Sequence, residues 1–223
     1  MSLPIIQKKK PSDSLPLLPG NLLLVGYLGS GKTLALKTFA SEISANQQRV
    51  LMVDHFMENV DFTLQHGGES IEIDSLFPLK DMPPLTNLVI PYDSIRKNPL
   101  LSKVILDTLD TFVLNQTFDY IFIDEAQRYF TEELSDSLID LLSKAEQYGV
   151  QVFLCLQTLA RFPIRDEAKK KLLEVCPQVL YFEGIDIKMQ TSNSISLTRG
   201  ESILFHTKKP HPLTAIPFLP VQF

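Results

Sequence analysis

The chain holds only two cysteines, and they form no C-x-x-C pair. Cys155 and Cys176 lie in apolar neighbourhoods, a setting that favours buried free thiols over a disulfide or a zinc site. His55, His66, His206 and His211 show no ligand spacing, so structural or solvent-exposed roles are expected of them. No apolar run approaches the ~20 residues of a bilayer span, which argues against a transmembrane segment. At the N-terminus a short apolar patch precedes Lys8-Lys9-Lys10, the reverse of the charge order of a signal peptide. A soluble, cytoplasmic protein is the expectation. Basic excess is missing as well, since 26 acidic residues outnumber 21 lysines and arginines for a net charge of −5. Such a chain has no global attraction for nucleic acid. Contact with DNA would need a local basic surface, such as a pore assembled from several subunits. There is no internal repeat.

What is present fits one α/β domain. With 223 residues, 44% hydrophobic and 21% charged, the chain is long enough to bury a core and too balanced for wholesale disorder. Residues 1–20, with Pro4, Pro11, Pro16 and Pro19, read as a flexible arm that is extended or disordered until it meets a partner. Residues 21–223 then read as the folded domain. Short apolar runs predict strands at Leu22–Val25, Arg49–Phe56, Asn87–Tyr92, Tyr120–Ile123, Val152–Leu156 and Gln178–Phe182. Between them, helical spacing predicts helices over about 32–43, 98–114, 132–147 and 165–175. Residues 57–85, with Gly67-Gly68 and Pro83-Pro84, read as an irregular insertion. In the β-rich tail, 195–221, Ile195–Thr198 and Ser202–His206 look like a hairpin turned at Gly200, with Ile216–Val221 as a last extended piece. Strands alternating with helices imply a mostly parallel sheet flanked by helices, closed by a C-terminal β-hairpin edge.

Directly after the first strand stands Gly26-Tyr27-Leu28-Gly29-Ser30-Gly31-Lys32-Thr33, the G-x-x-x-x-G-K-[ST] pattern in its strand-loop-helix setting. Glycines let the backbone wrap a phosphate so that N–H groups point inward, and the helix N-terminus adds partial positive charge. Gly26, Gly29, Ser30, Gly31, Lys32, Thr33 and Leu34 are therefore the expected nucleotide-binding residues. Lys32 would reach the β- and γ-phosphates of ATP, and the Thr33 hydroxyl would be a ligand to Mg2+. The plainer alternative is a Gly/Ser-rich turn before an ordinary helix.

Asp124-Glu125-Ala126-Gln127 follows a fully apolar strand, at the carboxyl end where ligand crevices of open parallel sheets form. Asp124 would hold the magnesium, and Glu125 would be the general base for the water that attacks the γ-phosphate. The alternative is an acid-rich helix start. Gln157, after the next strand, would bond the γ-phosphate or the water, or else cap a turn. Arg128, Arg161, Arg165 and Arg199 are candidate arginine fingers toward a neighbouring subunit, each with a surface salt bridge as the plain alternative. Lys169-Lys170-Lys171 reads as a solvated helix face that could also touch a DNA backbone.

Taken in this order, the loop, Asp124-Glu125, the long helix, Gly149-Val150, the apolar strand and Gln157-Thr158 resemble the FtsK–HerA group of P-loop ATPases. Arg199-Gly200-Glu201-Ser202-Ile203-Leu204-Phe205-His206 resembles the closing hairpin of that group. The resemblance implies a RecA/FtsK-like P-loop NTPase fold over about residues 20–221. It also implies ATP hydrolysis by Lys32, Thr33, Asp124 and Glu125 with Gln157 as sensor, and a ring, often hexameric, that draws double-stranded DNA through its pore. One departure is that Lys144-Ala145-Glu146-Gln147 holds no arginine where many relatives carry one, so trans activation would fall to Lys144, to another arginine, or to nothing. Small size and acidic balance look most like the genome-packaging ATPases of tailless, membrane-containing viruses. On that likeness the N-terminal arm or the 57–85 insertion would dock on a capsid vertex or a membrane-associated partner, in the host cytoplasm or at the virion vertex. Conjugative DNA-transfer ATPases of the same group are the near alternative. A thymidine-kinase-like reading rests on Asp124–Gln127, Tyr129-Phe130 and Arg161-Phe162-Pro163, but two cysteines cannot build that family's four-thiolate zinc site. A nucleotide-gated assembly protein is the non-catalytic alternative.

Overall fold

The computed structural model describes residues 19–73, 82–91, 94, 98, 100–131, 133–158, 166–182, 187–188, 194–195, 201–206 and 214–217. Apart from Pro19 and Gly20, the expected N-terminal arm lies outside them.

Strands β1 (Leu22–Val25), β2 (Val50–Asp54), β3 (Glu69–Glu72), β4 (Leu85–Val89), β5 (Tyr120–Ile123), β6 (Gln151–Leu156) and β7 (Gln178–Phe182) form a parallel array in the order β7-β1-β6-β5-β2-β4-β3. Helices α1 (Lys32–Ala45), α2 (Val60–Gln65), α3 (Leu100–Leu114), α4 (Ser135–Tyr148) and α5 (Asp166–Val175) connect them. The central strands are apolar along their whole length because both faces of the sheet are covered. Period-two alternation sorts their side chains. Leu22, Leu24, Val50, Met52, Phe122 and Phe153 face α1, while Leu23, Val25, Leu51, Val53, Ile121, Ile123, Val152 and Leu154 face the helices on the other side. Phe122 and Phe153 stack at 4.8 Å, and Phe39 of α1 meets Phe153 edge-on at 5.5 Å. On α4, the expected stripe of Leu134, Leu138, Leu141 and Leu142 is buried against the sheet. Asn21, fully buried, fastens this layer from below. Its Nδ2 donates to the carbonyls of Leu142 and Val175, and its Oδ1 accepts from Val152 N.

Two expectations are corrected. The stretch 57–85 is not irregular throughout, for it contains α2 and the edge strand β3, which pairs in parallel with β4. The tail does close the sheet with a hairpin, but with different partners. β10 (Glu201–His206) pairs antiparallel with β7 on one side and with β11 (Thr214–Pro217) on the other. β9 (Ser194–Ile195) pairs instead with β8 (Ile187–Lys188) in a separate two-stranded sheet. The reason is that β7 is almost entirely buried and would otherwise be an open edge, so the six residues of β10 are taken up there. Gly200 and residues 196–199 lie outside the described residues.

Because β6 lies between β1 and β5, the loop after β1, the acids after β5 and the residue after β6 all emerge at one end of the sheet.

Candidate active site

The loop after β1 is shaped by close approach and by backbone handedness. A Cβ on Gly26 would sit 2.5 Å from Ser30 Oγ and 2.6 Å from Phe182 Cβ, so any side chain there would push the loop off β7. Gly31 adopts φ 105° as it enters α1, a left-handed conformation that side chains resist. No side chain caps α1 and no acid stands in its first turn. Its N-terminal donors are therefore left for an anion. Lys32 is buried, and its Nζ turns back on the loop to donate to the carbonyls of Gly26, at 2.7 Å, and Tyr27, at 2.9 Å. Ser30 Oγ is buried with no hydrogen-bond partner among the described residues.

Across the crevice the acids meet the loop. Thr33 Oγ1 donates to Asp124 Oδ2 at 2.9 Å, although 91 residues separate the two. The other oxygen of Asp124 accepts from Glu125 N at 2.9 Å. Burial pushes the Asp124 carboxyl above its ordinary range, against the opposing pull of the Thr33 hydroxyl, the Glu125 amide and the Lys32 charge. Glu125 is raised too, first by burial and then by the Asp124 charge beside it. Glu125 Oε2 accepts from Gln157 Nε2 at 3.2 Å and also from Gln127 Nε2. Cys155, two residues before Gln157, lies against Asp124, and burial pushes its thiol well up. Both cysteines are free and buried, as expected.

The structure thus gathers Lys32, Thr33, Asp124, Glu125 and Gln157 into one site. The oxygen donors of Thr33 and Asp124 suit a hard divalent cation. Among the described residues no group of three or more His, Cys, Asp or Glu could hold a metal ion. A magnesium here would be shared with the phosphates of a nucleotide, as that ion prefers.

The arginine candidates part company. Arg128 belongs to the same one-turn segment as the acids, its guanidinium 4.9 Å over the Phe56 ring and its charge acting on Glu125. Arg161, Arg165 and Arg199 lie outside the described residues. Lys144 is committed within its own chain, bound by Asp110 at 2.9 Å and Asp140 at 2.8 Å. Lys169 and Lys171 pair with Asp166 and Glu167 on their own helix.

Sequence reasoning missed the neighbouring strand end. Asp54 closes β2, and its carboxylate accepts from the backbone N–H of Phe56, Glu58 and Asn59 and from Asn87 Nδ2. His55 beside it is buried, its ring 5.5 Å from that of Tyr129. Burial above all, then the nearby Arg128 charge, lowers its pKa to about 4. The available signal was an acid directly after an apolar strand, the same one that marked Asp124.

Neither a family model nor a curated protein sequence matches the chain. Solved structures do. The genome packaging NTPase B204 from Sulfolobus turreted icosahedral virus 2, in complex with AMP, superposes with a TM-score of 0.64 at 16% identity, over 90% of this chain and 98% of that one. The ATP-gammaS complex of that NTPase gives 0.63 at 15%, over 91% and 100%. VirB4 of Thermoanaerobacter pseudethanolicus gives 0.62 at 11%, over 87% and 88%. At such identities the likeness is one of fold, and the FtsK–HerA resemblance drawn from the sequence fits it. The chain has the P-loop NTPase fold, a parallel sheet flanked by helices.

Proposed function

We propose that the protein is an ATP-hydrolysing DNA translocase that packages viral genome DNA as a ring oligomer. The observation that carries the hydrolytic part is the Thr33–Asp124 hydrogen bond, which brings the phosphate loop and the acidic pair to one point. Lys32 would exchange its two loop carbonyls for the β- and γ-phosphates. Thr33 and Asp124 would hold Mg2+, which neutralises phosphate charge when bound. Glu125 would orient the attacking water and take its proton, and a carboxylate raised by burial is the stronger proton acceptor. Gln157, already bonded to Glu125, would report the γ-phosphate to the base. Arg128, whose charge already acts on Glu125, would serve its own site.

The packaging role is supported by the B204 likeness over almost the whole of both chains, and the conjugative alternative by VirB4. Duplex DNA as partner, docking through residues 1–20 and a location in host cytoplasm or at a virion vertex belong to the same proposal. The deciding experiment is ATP hydrolysis with and without duplex DNA, with a parallel arm containing thymidine, and mass determination with a non-hydrolysable analogue. Stimulation by DNA and a ring-sized mass are expected. Stimulation by thymidine alone would replace the proposal with a nucleoside kinase. Glu125→Gln should lower turnover by about 10²-fold or more while sparing nucleotide binding. Unchanged turnover would remove Glu125 from the mechanism.

A further inference from the structure

Glu125 leaves β5 in a left-handed conformation, φ 53°, and Ala126–Tyr129 follow as a single 3-10 turn. This brings Gln127 back to the carboxylate it follows by two positions. Its Nε2 donates to Glu125 Oε2, the same oxygen that accepts from Gln157 Nε2. Two amides from two separate elements converge on one oxygen. Among the described residues no protein donor is hydrogen-bonded to the other, Oε1. Gln127 meanwhile leaves its own Oε1 buried without a partner among the described residues. Buried polar atoms normally pair, so this one asks for an explanation. A methionine of the same length would fill the space with no orphaned oxygen. The opposite amide orientation would set oxygen against carboxylate oxygen. The unpaired atom is the consequence of aiming Nε2 at Glu125.

We propose that Gln127 is a positioning residue for hydrolysis, holding Oε2 of Glu125 so that Oε1 is presented to the attacking water. The inference rests on the reading of Glu125 as base. It also separates two tasks. Gln157 stands at the end of β6, between the loop strand and the acid strand, where it can leave Glu125 for a phosphate oxygen. Gln127 belongs to the turn that follows Glu125 itself and stays with the base when Gln157 leaves. The charged neighbours Asp124, Lys32 and Arg128 set the potential around Glu125. The two amides give its carboxylate a direction without neutralising it.

The test uses the full chain with Gln127→Met, which keeps the shape and removes the donor, and Gln127→Glu, which sets a like charge against the base. ATP turnover and equilibrium binding of a fluorescent ATP analogue are measured on each. Loss of one hydrogen bond to a charged group predicts a kcat about tenfold lower for Gln127→Met and lower again for Gln127→Glu. KM and analogue affinity should stay within about twofold of wild type, since the proposed role is in the chemical step. Combined with Glu125→Gln, neither change should lower the residual rate further. A packing role predicts the opposite order of evidence: Gln127→Met would match wild type in kcat. That result, or losses that multiply in the Glu125→Gln background, would overturn the inference while leaving Glu125 as base. A wild-type protein without ATPase activity, with or without DNA, would instead overturn the hydrolytic reading and this inference with it.

Discussion

Two loops at the same end of the sheet treat their backbone donors in opposite ways. After β1, residues 26–33 enter a helix that no side chain caps and no acid precedes, and the one cation present folds back on loop carbonyls. After β2, residues 54–59 close on themselves, with the Asp54 carboxylate taking three backbone N–H groups. The first loop is open to an outside anion, and the second supplies its own. The contrast teaches that a strand end becomes a binding site by leaving donors unused, and a structural brace by spending them internally.

The largest effect should come from the closed loop. Asp54→Ala strands its backbone donors and the Asn87 amide, and is expected to cost about 4 kcal/mol of stability, read by denaturant unfolding. If stability falls by less than about 1 kcal/mol, the brace is not one. Next comes acid. His55 has a folded pKa of about 4 against an ordinary 6.5, so between these values the unfolded chain binds the extra proton and stability declines as pH falls. That decline should reach about 3 kcal/mol near the lower limit, and His55→Gln should remove that part of the slope. A variant slope identical to wild type would contradict the burial argument. In the open loop, Lys32→Met should weaken ATP binding by about a hundredfold, measured by titration, with stability nearly unchanged. A large stability loss there would mean that this loop too is internally braced. The smallest effect is expected at Leu28, 85% exposed on the same loop. Leu28→Ser should leave the midpoint of unfolding within about 0.5 kcal/mol of wild type.

Much of this arrangement is legible in the residues because it is local. Four apolar residues followed by the glycine-rich octet specify strand, loop and helix in one stretch, and Tyr120–Ile123 before Asp124-Glu125 does the same for the second wall. The strand at Gln151–Leu156 and the Leu134–Leu142 stripe follow from plain periodicity. What escaped is what depends on distant partners. α2 is six residues long and buries only Phe62 and Thr63, too few for a periodic signal. β3 is an edge strand whose residues are partly exposed, so its pattern carries little contrast. That β10 lies between β7 and β11 while β9 pairs with β8 is a matter of strands distant in the chain, which no local pattern encodes. Gln127 and Asp54 escaped for a different reason. Both act through hydrogen bonds whose value appears only once the backbone has turned, at Glu125 in one case and around Phe56–Asn59 in the other.

The position of β1 also governs the order in which the molecule can be made. Both of its neighbours, β6 and β7, follow it by more than 120 residues. During synthesis Leu22–Val25 wait without a neighbour until β6 has left the ribosome, and without the second until β7 has. A nascent chain therefore brings Thr33 and Asp124 together on a finished sheet only after β6 and β7 are made, and a ribosome stalled before that point carries a fragment with a bare apolar strand.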